Sequence, residues 1–250
     1  MSILLRDIDY PDSDGKPMAE TPLHMRVMWD SIQTLNFWYA DDPKVYVWGN
    51  MFLYYRRGDP TAAVSPDVMA IYGVDKNKER DDFKVWEEKR RPSVVIEVTS
   101  RKTKKEDQKD KFVLYRDTLK VKEYFLFDPR AEYLKQALKG FRLRAGQYVP
   151  IEEVDGRLPS KVLDLHLQRN GRELRFWNPT TRRWLPTADE LREMTQAELD
   201  LAKRDVEFER HKRELVEKEA EIQRLKIEQA EAEIERLRRE LDASKQTQRD

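Results

Sequence analysis

Residues 94–128 contain two apolar segments on either side of a strongly charged one. The first segment, V-V-I-E-V-T, is rich in β-branched residues and carries one charge, Glu97, and the second segment ends at Asp128. Both have the composition of buried β-strands, and the charged segment between them is typical of a helix. A carboxylate inside a buried strand is costly unless a metal ion or a base pairs with it. Glu97 is therefore the first candidate for chemistry.

The charged segment begins with a capping-box pattern, Thr103-x-x-Glu106, which predicts a helix over residues 104–117. Within it, three polar residues recur at intervals of four, which places them on one face of the helix. These residues are Asp107, Lys111 and Tyr115. We expect the three side chains to point in the same direction.

The chain before this region predicts one helix and two strands. Thr21 has the pattern of an N-cap, and apolar residues follow at helical spacing over residues 22–36. Residues 44–55 are aromatic and β-branched and predict a strand with a break or bulge at Gly49. Residues 64–74 predict a second strand.

The chain after Asp128 is rich in strand patterns. Residues 140–151 predict a hairpin, and Asn170-Gly171 predicts a type I′ turn into a further strand. We expect these strands to extend the main sheet or to form a small wing beside it.

From residue 187 onward the sequence predicts one long charged helix. Thr187-x-x-Glu190 is a second capping box, and no proline or glycine follows it. Five apolar residues then fit an a/d seam: Ile227, Ala230, Ile234, Leu237 and Leu241. We interpret this as a coiled coil that makes the protein a homodimer; the alternative is a solvated single helix held by i,i+4 ion pairs. The predicted domains are residues 1–186 and 187–250.

The formal net charge of zero hides a split between these two domains. Residues 186–250 contain 14 basic and 19 acidic residues, against 34 basic and 29 acidic residues before them. A mildly basic body permits a polyanionic partner without establishing one. The absence of cysteine excludes disulfides, thiolate zinc sites and cysteine nucleophiles. No segment resembles a signal peptide or approaches ~20 apolar residues, so we expect a cytoplasmic protein with no membrane partner.

Asp67 and Glu97 are the best candidates for a metal site, because each is a carboxylate in an apolar β segment. Two carboxylates on adjacent strands can hold Mg²⁺, which prefers oxygen ligands and keeps several waters. A bound metal can activate a water molecule, and a nearby lysine can position it. Two structural alternatives remain open: Asp67 could belong to a turn, and Glu97 could lie on a solvent face.

Among the other polar residues, the Arg and Lys residues of 101–111 are the best candidates for phosphate contacts, although such runs are usually solvated faces. His24, His166 and His211 are scattered, and their spacing forms no metal constellation. Tyr115, Tyr124 and Trp48 are more typical of core positions than of base-stacking platforms.

Four motifs in order give the chain a resemblance to a known family. They are S-P-D-V (65–68), P-x-x-V-I-E-V-x-S (92–100), D-x-x-x-K-x-x-x-Y (107–115) and V-K-E-Y-F-L-F-D-P (121–129). Over about residues 9–187 the chain resembles the "putative restriction endonuclease" family, which is found widely in bacteria and belongs to the PD-(D/E)XK nuclease superfamily.

The resemblance implies an α/β (α+β) fold of restriction-endonuclease type: a mixed sheet flanked by helices in the order αβββαβ. It also implies that Asp67 is the metal-binding aspartate and Glu97 the acid of the (D/E)XK motif. Thr99 stands where that motif has its lysine. The matching lysine in this family is Lys111, on the following helix, and the alternatives are Lys102, Lys104 and Lys105.

The function implied is an endonuclease that hydrolyses DNA phosphodiester bonds with Mg²⁺ or Mn²⁺, using Asp67, Glu97 and Lys111. A second departure is Trp48-Gly49-Asn50, where the resemblance implies that related sequences often have Gly-Asp, and Asn50 either weakens a second metal site or is structural. The alternative function is a catalytically weak or inactive module that binds nucleic acid or assembles partners through its coiled coil.

Overall fold

The computed structural model describes residues 10–11, 21–198, 200–201, 203–204 and 212. The chain separates into two compact units, residues 1–190 and 191–250. The predicted coiled-coil seam and His211 lie outside the described residues. The predicted domain boundary between residues 186 and 187 stays a prediction.

The elements of the first unit follow one another closely along the chain. The helical ones are α1 (Pro22–Trp38), α2 (Val85–Glu88), α3 (Lys104–Gln108), α4 (Asp110–Val113) and a π-helical turn (Leu114–Thr118). The strands up to the first crossover are β1 (Val45–Trp48), β2 (Leu53–Tyr54), β3 (Ala63–Val64), β4 (Val68–Tyr72), β5 (Phe83–Lys84) and β6 (Val94–Val98). The later strands are β7 (Glu123–Phe127), β8 (Leu138–Arg144), β9 (Gln147–Pro150), β10 (Leu158–Ser160), β11 (Leu165–Asn170), β12 (Glu173–Asn178) and β13 (Arg183–Trp184).

The central sheet has six strands in the order β1-β4-β6-β7-β8-β9. All neighbours in it are antiparallel except β6 and β7, which are parallel and joined by the helical segment 104–118. Both faces of the sheet are covered, which explains why β6 and β7 read as continuous apolar runs. The α1–β1–β4–β6–helix–β7 framework confirms the αβββαβ order that the resemblance implied.

Two apolar cores lie on opposite faces of this sheet. Alternate residues of β6, such as Ile96, join a core with α1 and the inner face of the four-stranded sheet β10-β11-β12-β13. The others, such as Val95, join a core with Tyr115 and with the small sheet β3-β2-β5. The predicted small wing is therefore a second sheet, and it packs on the α1 side of the central one.

The predicted strand over residues 44–55 is two strands in different sheets, β1 and β2. The chain leaves the central sheet at Gly49, where a Cβ atom would lie 1.8 Å from the carbonyl oxygen of Asp67. Only glycine permits this approach. Asn50 follows with a positive φ of 51° and donates its backbone N–H to Pro66 O at 2.8 Å.

The predicted helix over residues 104–117 is not continuous. It breaks at Lys109, which has φ −124° and ψ −69°, and it widens into the π-helical turn 114–118. The predicted cap at Thr103 was wrong, because its hydroxyl accepts the backbone N–H of Ser100 at 3.1 Å instead of capping the helix. The helix at residue 188 does have the predicted capping box: Glu190 N donates to Thr187 Oγ1 at 3.2 Å, and Thr187 N donates to Glu190 Oε2 at 2.7 Å.

The second unit contains a helix over residues 191–198, in which Thr195 Oγ1 donates to Leu191 O at 3.0 Å. Among the helices within the described ranges, none is both long and apolar enough to cross a membrane.

Glu123 ties the two sheets of the first unit together. Its carboxylate is fully buried and accepts hydrogen bonds from Arg142 Nε at 2.7 Å, Lys161 N at 3.0 Å and the Ser160 hydroxyl. Arg142 comes from the central sheet, whereas Ser160 ends β10 of the four-stranded sheet and Lys161 follows it.

The substitution Glu123→Ala is expected to lower the free energy of unfolding by about 3 kcal/mol, because it leaves Arg142 and three other donors, among them the N–H of Val162, without their acceptor. Urea unfolding followed by tryptophan fluorescence measures the change. Glu152→Ala, at an exposed carboxylate nearby in the chain, is the matched control and is expected to have little effect. Equal midpoints for the two variants would contradict this account.

Candidate active site

Glu97 lies near the end of β6 with none of its surface exposed. Its Oε2 accepts a hydrogen bond from Lys111 Nζ at 2.9 Å, and its Oε1 accepts one from the Tyr115 hydroxyl at 2.6 Å. The alternative of a solvent-facing Glu97 is therefore wrong. A buried carboxylate requires such partners, and the helical segment that crosses from β6 to β7 supplies both.

The helical segment presents the predicted face to Glu97. Asp107, Lys111 and Tyr115 are spaced by four residues, and all three lie toward the end of β6. All three alternative lysines are exposed: Lys102 lines the neighbouring cleft, whereas Lys104 and Lys105 do not. Of these lysines, Lys111 is the one whose contacts include Glu97.

Asp67 immediately precedes β4, which pairs with β6. The antiparallel pairing of Val68 with Ile96, extended by one residue, places Asp67 opposite Glu97. Asp67 Oδ2 accepts the backbone N–H of Val98 at 2.7 Å. The two acids therefore come from neighbouring strands at the same level of the sheet, as a shared site requires.

His24 is a site residue that the sequence analysis missed. It lies in the first turn of α1, is 6% exposed, and has its Nε2 3.2 Å from Asp67 Oδ1. The signal in the sequence was its position on the inward face of α1, four residues before the buried Met28. Its spacing to the other histidines carried no information, because its partner is an aspartate from a distant part of the chain.

Asp107 is a third buried acid. It is 1% exposed, and its Oδ1 lies 3.6 Å from Lys111 Nζ. Neither of its carboxylate oxygens makes a hydrogen bond of ordinary geometry, and the same holds for the hydroxyl of Thr99. Thr99, at the position where the resemblance expects a lysine, is neutral and supplies no positive charge to the site.

The electrostatics of the site follow from burial and from an excess of acids. Burial raises the pKa of Glu97 well above its ordinary value, and the charges of Asp67 and Asp107 add to this against the opposing effect of Lys111. Burial also raises the pKa of Asp107, to about 6. Burial alone would lower the pKa of Lys111, but Glu97 and the other acids hold it above its ordinary value. Lys111 is therefore protonated at neutral pH.

The pKa of Asp67 is lowered despite its burial, because the hydrogen bond and charge of His24 outweigh the desolvation. Of the three buried acids Asp67, Glu97 and Asp107, Asp67 thus ionises most readily. It also lines an open cleft, whereas Glu97 lies behind Lys111.

This cleft has a volume of about 400 Å³. Asp67, His24 and Lys111 line it, and three exposed cations also line it: Arg101, Lys102 and Arg130. Asn50 lines it as well, so this residue contributes a neutral side-chain amide to the cleft. A cleft with an acid inside it and exposed cations beside that acid suits a polyanion that is attacked at one point.

The donor set fits a hard divalent cation. Asp67 and Glu97 offer carboxylate oxygens, the ligands that Mg²⁺ prefers, and the buried excess of negative charge favours a cation. Within the described ranges, no three histidine, aspartate or glutamate side chains form a ready metal cage. The arrangement thus fits an ion that takes two carboxylates and completes its coordination with water.

Comparison with known proteins places the chain in a family. Residues 5–171, about two thirds of the chain, match the model of the Uma2 family, described as "Putative restriction endonuclease". The chain belongs to the Uma2 family. This match confirms the resemblance drawn from the motifs. Membership of the Uma2 family supports a nuclease function.

A similar solved structure is titled as a "putative nuclease belonging to DUF820" from Anabaena variabilis ATCC 29413. It is 17% identical with a TM-score of 0.45, and the likeness covers 61% of this chain and 80% of that one. No curated protein matches the chain.

The substitution Asp107→Asn is expected to stabilise the metal-free protein at pH 7.5 by about 2–3 kcal/mol. The folded pKa of Asp107, about 6, lies above its ordinary value of 3.8, so the wild-type protein loses stability as pH rises through this interval. The gain should therefore be present above pH 6 and absent below pH 4.

Urea unfolding in EDTA at several pH values measures this difference. Asp110→Asn, at an exposed neighbour on the same helical segment, is the control. A gain that is independent of pH would show that Asp107 is not the titrating group.

Proposed function

We propose that this chain is an endonuclease that hydrolyses DNA phosphodiester bonds with Mg²⁺ or Mn²⁺. One observation carries the proposal: Asp67 and Glu97 lie opposite each other in the register of β4 and β6, with Lys111 bonded to Glu97 beside a cleft that exposed cations line. Membership of the Uma2 family supports it. In this proposal Asp67 and Glu97 hold the metal ion, which when bound supplies an activated water and offsets charge on the phosphate.

Lys111 acts as a donor in this scheme and not as a base. Its pKa is raised, so its ammonium group remains charged and can orient the attacking water or stabilise a phosphate oxygen. Tyr115 holds one oxygen of Glu97 in place through its 2.6 Å hydrogen bond. The cations Arg101, Lys102 and Arg130 would contact the phosphate backbone next to the bond that is cleaved.

His24 is proposed as a positioning residue. Together with the N–H of Val98, it restrains the carboxylate of Asp67 from two sides. A ligand carboxylate that is fixed by its neighbours loses less freedom when it binds its ion.

A binding module without turnover is the second candidate, and one observation favours it. Both oxygens of Glu97 are already engaged by Lys111 and Tyr115, so a metal ion would have to share or displace these donors. Binding of DNA that weakens with salt, without any cleavage, would support this candidate.

Pairing of two copies through the C-terminal helix is a further part of the proposal, because two active sites could then address both strands of a duplex. A cytoplasmic location also belongs to it. Sedimentation of the full chain as a monomer would remove the pairing.

The test is nicking of supercoiled plasmid DNA with Mg²⁺ or Mn²⁺. Asp67→Asn, Glu97→Gln and Lys111→Met are each expected to lower the rate by about 100-fold or more, the scale set by losing one charge-stabilising group. Glu152→Gln and Lys105→Met remove an exposed acid and an exposed lysine elsewhere and should cleave like the wild-type protein. Equal rates for wild type and the three site variants, or no cleavage by wild type with any metal and substrate, would exclude the proposal.

The role of His24 has a separate test. His24→Ala is expected to lower kcat by about tenfold with little change in KM, the scale found when a residue behind a metal ligand is lost. His24→Gln keeps a side-chain N–H donor and should recover part of that loss. If glutamine is no better than alanine, His24 contributes packing and not the orientation of Asp67.

A further inference from the structure

The four-stranded sheet β10–β13 carries a local excess of positive charge. Residues 157–185 contain seven basic and two acidic residues, whereas the whole chain has 48 of each. Most of these cations are exposed: Lys161, Arg169, Arg172, Arg182 and Arg183. This excess is far from what the zero net charge of the chain suggests.

The sheet has one buried and one open face. Leu165, Leu167 and Phe176 alternate onto the buried face, which packs in the core shared with α1. The opposite face carries the residues between them, and the strand register sets His166 beside Trp177 and Trp177 beside Trp184. Two tryptophans of neighbouring strands thus stand side by side on the open face.

Two arginines stack on these tryptophans. The ring centroids of Trp177 and Trp184 are 5.1 Å apart, and the Arg157 guanidinium lies 4.3 Å from the first ring and 5.4 Å from the second. Arg175 lies 5.9 Å from the Trp184 ring. Trp184 remains 38% exposed on the terminal strand of the sheet. We call Trp177, Trp184, Arg157 and Arg175 the Trp–Arg face.

The remaining exposed arginines frame the sheet at its two ends. Arg172 lies in the turn between β11 and β12, and Arg182 and Arg183 lie in or next to the turn between β12 and β13. Because successive hairpins turn at opposite ends of an antiparallel sheet, these cations lie on both sides of the Trp–Arg face.

We propose that the Trp–Arg face binds single-stranded DNA. Aromatic rings and guanidinium planes on an open sheet stack unpaired bases, and cations along the sheet contact the phosphates between them. A duplex offers no such stacking, because its bases are already stacked on one another. The net positive charge favours a polyanion over an apolar protein partner. None of the four residues lines the cleft of Asp67 and Lys111, so the binding does not depend on the proposed cleavage.

The experiment uses the full chain in EDTA, so that no cleavage is required. A fluorescein-labelled oligothymidylate of about 15 nucleotides covers the usual site size, and anisotropy gives its Kd at low salt. Trp184→Ser is expected to weaken binding by about tenfold, the scale of losing one stacked base. The double variant Arg182→Glu/Arg183→Glu should weaken it at least as much and reduce its salt dependence.

Two matched controls separate this face from the rest of the surface. Trp29→Ser removes an exposed tryptophan of α1, and Arg144→Glu reverses an exposed charge of β8. Both should bind like the wild-type protein. Tryptophan emission should be quenched by the oligonucleotide in the wild-type protein and in Trp29→Ser, and less in Trp184→Ser. The double variant changes only exposed residues in or next to a turn, so it remains informative even if Trp184→Ser unfolds.

The proposal would be overturned if Trp184→Ser and the double variant Arg182→Glu/Arg183→Glu both bound the oligonucleotide with the affinity of the wild-type protein. The choice of single strands would be overturned if a duplex of the same length bound as tightly as the single strand and the two variants lost the same affinity for it. Tenfold tighter binding of oligouridylate would assign the face to RNA instead.

Discussion

The pairing of Glu97 with Lys111 is the interaction on which the site depends. A fully buried carboxylate would be neutral or would destabilise the sheet if it stood alone. Lys111 offsets that cost through a 2.9 Å bond, and Tyr115 satisfies the remaining oxygen. The helical segment must therefore cross from β6 to β7 directly above the acid, and this crossover in turn requires β6 and β7 to be parallel neighbours. The chemistry and the topology thus share one constraint.

Two buried acids near the ends of β6 and β7, Asp128 and Asp107, play different roles because different groups surround their carboxylates. Asp128 has its carboxylate filled by the backbone N–H groups of Tyr133 and Leu134, so it serves to fold a loop. Asp107 has no such donors and is held by a lysine 3.6 Å away. Burial without the backbone donors that Asp128 has raises the pKa of Asp107, so the fold holds this group at a cost. This contrast, more than burial alone, distinguishes the site from the structural acids.

The sequence was informative where local patterns carry the structure. The β-branched segment around Glu97 predicted the strand, and the four-residue spacing of Asp107, Lys111 and Tyr115 predicted the shared helical face, whereas the link between Lys111 and Glu97 came from the resemblance. His24 was missed because it meets Asp67 only through tertiary packing. The split at Gly49 was only half predicted, because it depends on a contact with the backbone of Asp67. Thr103 fitted a capping pattern, but the nearby N–H of Ser100 took its hydroxyl instead.

The position of the lysine on a helix also sets how this site can tolerate change. A lysine on the strand, two residues after the acid, has its direction fixed by the pleat of the sheet. Lys111 has its direction fixed by the connection from residue 100 to residue 111, in which α3 and α4 turn by about 100° per residue on either side of the break at Lys109. An insertion or deletion of one residue there would swing the ammonium group away from Glu97, while the strand and its acid stayed in place. The length of this connection is thus as much a part of the site as the side chains are.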